Sequence, residues 1–136
     1  MAITTTYTLN KSAGKNTGNL PYVNSVRVNA ATTGIASAEV VELFKIPQGA
    51  QVIAFFSNVV TIEDSTSTID VGDGVDPNRY LATTNMETIG KTAGIAAGMG
   101  YVYTADDTID ATFSANACDT LVADFTVVYV MNENAD

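Results

Sequence analysis

Three aspartates recur at three-residue spacing in "TIDVGDGVDPNR": Asp70, Asp73 and Asp76, with Gly72 and Gly74 between them. Carboxylates on a glycine-bearing loop are one way to collect a hard cation such as Ca²⁺. The spacing departs from the EF-hand, and no glutamate closes the loop. It departs from a phosphate loop as well, lacking the lysine and hydroxyl and carrying acids that would repel a phosphate. Turn chemistry explains the run without a ligand. Ile69 and Val71 alternate with Thr68 and Asp70, Asp73-Gly74 suits a tight reversal with positive φ, and Asp76-Pro77 adds a second turn signal. The run is therefore read as a turn and the metal complement as none, with Asp70, Asp73 and Asp76 as the calcium candidate.

Other reactive constellations are scarce. Asp106, Asp107 and Asp110 form a second acidic patch, read as exposed around a strand start rather than as an acid/base pair. The chain has no histidine and one cysteine, Cys118. That removes Ser-His triads, leaves nothing to activate the thiol, and nearly excludes zinc. Cys118 is expected to be a small buried thiol, and no intrachain disulfide can form. There is no tryptophan; of the six tyrosines, Tyr101 and Tyr103 share one strand face and are expected to pack on it. No catalytic residue and no cofactor is assigned.

The elements that hold these residues read as strands. "SVRVNAA" sets Val26, Val28 and Ala30 against Ser25, Arg27 and Asn29. "AEVVELFKI" (38–46) is β-branched at its start and cut off by Pro47, so strand is preferred to helix. Residues 50–62 are apolar on both faces: Val52, Phe56, Val60 and Ile62 on one, Ile53, Phe55 and Val59 on the other. A strand greasy on both sides is either sandwiched in the domain or buried against a subunit. "TIDVGD", "YVYTA", "TIDATFSANA" and "TLVADFTVVYVM" add further strands. The small-residue stretch 85–100, with Gly90, Gly94 and Gly98, reads as a long loop with at most one helical turn.

Roughly eight short strands with almost no helix define an all-β, single-domain antiparallel β-sandwich or jelly roll over residues 21–136. Residues 1–20 precede it as an extended N-terminal arm, polar and glycine-bearing and ending at Pro21. The 136-residue length is enough for a real core. Net charge is −9, which argues against nucleic acid as a partner. The charge is unevenly spread: no acid precedes Glu39, while Lys11, Lys15 and Arg27 do. A basic arm on an acidic body could dock on an acidic neighbour. No apolar run approaches a membrane span and nothing resembles a signal peptide, so no membrane partner is expected.

The run "ELFKIPQGA" entering a long apolar strand, "IDVGDGVDPNRYL", and "DDTIDAT" together resemble capsid decoration, or cement, proteins of tailed bacteriophages. The likeness covers about residues 38–131. It implies a non-enzymatic virion protein, assembled in the host cytoplasm and seated on the capsid exterior. There it would bind the major capsid protein and bridge capsomers as a homo-oligomer, a trimer for preference. Expected contact residues are Lys11 and Lys15 of the arm and Phe55 and Phe56 of the two-sided strand. The alternative is a tail or fibre domain that binds a host glycan through tyrosines and a Ca²⁺ loop.

Overall fold

In the computed structural model the structure describes residues 20–131. Eight strands follow one another: β1 Tyr22–Asn29, β2 Val40–Ile46, β3 Ala50–Thr61, β4 Ser67–Gly72, β5 Leu81–Asn85, β6 Gly90–Ala93, β7 Asp107–Ala115 and β8 Val122–Met131. A single 3₁₀ turn at Ala96–Gly98 is the helical content of the described residues. The strands form two four-stranded sheets of order β1-β8-β3-β6 and β2-β7-β4-β5, with antiparallel neighbours throughout. Consecutive strands largely alternate between sheets, which is the jelly-roll winding and matches the expected fold class.

Alternation decides which side of each strand faces the other sheet. Ile109, Ala111 and Phe113 of β7 and Ala123, Phe125 and Val127 of β8 are fully buried, and Val52, Ile69 and Val71 meet them from β3 and β4. These residues form one continuous core. Phe55 stacks on Tyr80 at 5.3 Å between centroids and meets Phe44 edge-on at 6.5 Å. Cys118 is buried as expected; it lies 3.1 Å from Ser67 Oγ, and burial pushes its thiol pKa up, which keeps it protonated and inert.

Four local expectations are corrected. The stretch 85–100 is not all loop, because Gly90–Ala93 pairs with Val59–Phe56 as β6. "YVYTA" is not a full strand: it joins the first sheet only through the Gln51–Val102 bridge and backbone bonds from Val52 and Tyr103. Gly74 does not adopt positive φ. The reversal is a longer loop, and the glycine it needs is Gly72, where a Cβ would overlap the Asp76 carbonyl. The faces of β3 also differ from simple alternation. The register shifts between Val52 and Ala54, so Val52 and Phe55 both turn inward while Ile53 and Phe56 turn outward.

Candidate interaction surface

Asp70, Asp73 and Asp76 do not converge on a cation. Asp73 is 3% exposed, and its carboxylate is already satisfied. Oδ1 accepts the Val75 and Asp76 N–H groups at 3.0 and 2.9 Å, and Oδ2 accepts Arg79 Nε at 2.6 Å and the Tyr103 hydroxyl at 3.1 Å. Burial pushes the Asp73 carboxyl up, but Arg79 and the two amides outweigh it and hold it below the usual aspartate range. Asp70 instead accepts the Thr83 N–H, and Asp76 lies out at 3.9 Å from Arg79. The cation that Asp73 meets in the fold is internal, the Arg79 guanidinium.

That guanidinium also lies 3.5 Å from the Tyr101 ring centroid, and Tyr101 meets Tyr103 edge-on. Because Tyr103 donates to Asp73, Tyr80 must donate to Tyr103 across their 2.7 Å hydroxyl contact. Burial raises both phenols, Tyr80 to about 12 and Tyr103 further. Of the tyrosines a glycan platform could use, Tyr80, Tyr103 and Tyr129 are buried and Tyr101 lies under Arg79, while Tyr22 is 50% exposed.

Among the described residues the carboxylates that do come together are Glu63, Asp64 and Asp119, with oxygens within 4.8 Å of one another. Glu63 is 1% exposed, and its Oε2 accepts the N–H groups of Asp119, Thr120 and Leu121 at 3.1, 3.2 and 3.1 Å. Burial pushes this carboxyl up, yet the backbone donors prevail and its pKa ends below the usual glutamate range. Glu63 clamps the turn into β8. Sequence reasoning missed it because the clamp depends on three amides that only the folded chain aims at one point. Asp106 caps the Gln48 N–H and Asp110 accepts the Thr108 hydroxyl, so the second acidic patch also serves local structure.

The two outward faces are unlike. On the β1-β8-β3-β6 sheet the register sets Val23, Val128 and Ala54 abreast, then Ser25, Thr126, Phe56 and Ala93, then Arg27, Asp124, Asn58 and Lys91. Ile53, Phe56 and Val60 stand out from it at 46, 38 and 40% exposure. Arg27 is bidentate to Asp124 at 2.7 and 2.9 Å, which places an ion pair beside the apolar rows. The β2-β7-β4-β5 sheet shows Thr68, Ser114 and Asn85 in one row, Asp70, Thr112 and Val40 in the next, and Glu42 opposite Asp110 in the third. One face is greasy with paired charge; the other is hydroxyl-rich and acidic.

Of the residues expected at a contact, Phe56 lies on the greasy face. Phe55 does not: it is 2% exposed and belongs to the core, because the bulge at Ile53 turns it inward. Lys11 and Lys15 lie outside the described residues. No helix among the described residues is long and apolar enough to cross a membrane.

The described residues form an eight-stranded jelly roll, and chains of solved structures are similar to it over most of their length. A chain of the capsid of Ralstonia phage GP4 is similar at a TM-score of 0.70 and 14% identity, covering 86% of this chain and 88% of that one. A chain of the cyanophage Pam1 capsid asymmetric unit is similar at 0.64 and 19% identity, covering 94% and 98%. A third, from the acidic stable capsid structure of Helicobacter pylori bacteriophage KHP30, stands at 0.65 and 19%, covering 83% and 89%. No family model and no curated protein matches the sequence.

Proposed function

We propose that this chain is a non-enzymatic structural protein of a bacteriophage virion. It binds the outer surface of the capsid and stabilises it by bridging capsomers. The observation that carries the reading is the likeness to chains from three phage capsids, which spans most of the length on both sides. The neighbours are thus jelly rolls of about this size, without large added domains. The site chemistry agrees. The buried carboxylates are consumed by amides, a guanidinium and a hydroxyl, and the cysteine is a buried thiol.

The greasy face around Phe56 is the surface that meets the shell of major capsid protein, and the basic arm, with Lys11 and Lys15, docks on acidic neighbours. A protein that binds only the expanded lattice stabilises it by mass action. Lattice symmetry, and a homo-oligomer that presents several copies at once, raise the strength of individually weak contacts.

The test is to add purified protein to expanded, empty capsids and measure co-sedimentation and the temperature of shell disruption. Saturable binding to expanded but not unexpanded shells, with a raised disruption temperature, is the expected result. Label on tails alone, or no binding to shells, would overturn the reading.

A further inference from the structure

Jelly rolls have four sheet edges, here β1, β6, β2 and β5. Exposed edges invite pairing with other chains, and proteins blunt them with bulges, short strands and charges. Three of these edges are blunted. β6 has four residues and carries Lys91 and a positive-φ Gly90. β5 is interrupted at Thr83, which has φ of 46°, and β2 is bulged between Glu42 and Phe44. β1 has no such device. It runs eight residues in unbroken register, and its one charge, Arg27, is already paired with Asp124. Leu20, Tyr22 and Val23 stand out at its start, 63, 50 and 61% exposed.

Beside this edge the two sheets gape. A groove of about 470 Å³ runs between β1 and β2, with Val26, Val28, Ile35, Val41 and Leu43 on its walls and Glu39 and Glu42 at its rim. An unpaired edge next to an apolar groove is the arrangement that takes an added strand: the edge supplies main-chain bonds, and the groove takes every second side chain.

The chain itself contains a segment that fits. Residues 3–9, "ITTTYTL", place Ile3, Thr5, Tyr7 and Leu9 on one face and three threonines on the other. Residues 10–19 follow as a polar tether bearing Lys11, Lys15 and two glycines, and no acid occurs before Glu39. Extended, that tether reaches about 30 Å. We infer that residues 3–9 of a neighbouring copy add to the free edge of β1, with their apolar face in the β1–β2 groove and the lysines of the tether near Glu39 and Glu42. Pro21 favours the neighbour over the same copy. It biases Leu20 toward extended backbone, so the chain leaves β1 along its axis, and returning to the same edge would need a reversal longer than common hairpin loops.

The experiment needs only the purified full-length chain, so its outcome is separate from that of the capsid reading. Light scattering measures mass, and amide hydrogen exchange follows residues 3–9 over a dilution series. Wild type is expected as a multimer whose amides at 3–9 exchange at least tenfold more slowly than after dilution to single chains. Tyr7→Pro, or Ile3→Asp with Leu9→Asp, should give single chains with unchanged far-ultraviolet circular dichroism. A monomeric wild type would overturn the inference. So would a multimer that both variants preserve, or protection of 3–9 that persists in single chains, which would place the strand on its own edge.

Discussion

Replacing Glu63 by alanine leaves three backbone N–H groups without their acceptor, that of Leu121 in the interior and those of Asp119 and Thr120 part-buried. The cost is expected at about 3 kcal/mol, read by chemical denaturation, with Glu63→Gln losing less because one amide oxygen can still accept. Ser57 behaves oppositely. Its hydroxyl is buried on the inner face of β3 with no hydrogen-bond partner among the described residues. Ser57→Ala should therefore be neutral or stabilising by about 1 kcal/mol, against the usual sign for a core change. The titrating groups give two pH limits. Glu63 and Asp73 have folded pKa values below their ordinary ones. The stability they contribute is present above the unfolded carboxyl range, about pH 4, and is lost as pH falls further. Asp110, raised chiefly by burial, offsets part of that loss. Tyr80 and Tyr103 are shifted up, so their contribution holds below about pH 10 and is lost as pH rises toward about 12 and beyond. Thermal unfolding across pH 2–12 should show both declines; Tyr103→Phe should weaken the alkaline one.

β3 separates packing from binding within adjacent residues. Phe55→Ala should cost about 3–5 kcal/mol, since the side chain stacks on Tyr80 inside the core. Phe56→Ser should change stability by less than about 1 kcal/mol yet weaken capsid binding several-fold in the co-sedimentation assay. The contrast could not be read from alternation alone, because the Val52/Ala54 register shift reverses the faces for the rest of the strand. Where no bulge intervenes the sequence was a faithful guide: Ile109, Ala111 and Phe113, and Ala123, Phe125, Val127 and Tyr129, face inward as their period requires. β6 was hidden for a different reason. An exposed edge strand of glycine, lysine, threonine and alanine has no apolar face to announce it. In the loop after β4 the turn signals were real but under-read. Asp73 could be seen as a turn former; that it would fold inward onto Arg79, six residues on, is a tertiary fact with no local spacing to reveal it. The same fact explains why Asp70, Asp73 and Asp76, evenly spaced in sequence, do not converge in the fold.

For the molecule as a whole, the unlike outer sheets give the proposed capsid contact a direction. On that proposal the face with Val23, Phe56 and Val128 is the one covered, and the acidic, hydroxyl-rich face is the one left in water. Lys11→Glu with Lys15→Glu should reduce binding to expanded capsids, and the loss should be mimicked in wild type by raising salt. A separate consequence follows from the pairing of the first strand with the last. Tyr22 lies opposite Tyr129, so both ends of the described chain emerge at one pole, side by side. Probes attached at residues 20 and 131 would sit beside each other at that pole. Tension applied between residues 20 and 131 would peel β1 from β8 one rung at a time, whereas load entering through the broad side of the sheet would be shared by many rungs together. Held by its face, such a module would bear strain that would open it if it were pulled by its ends.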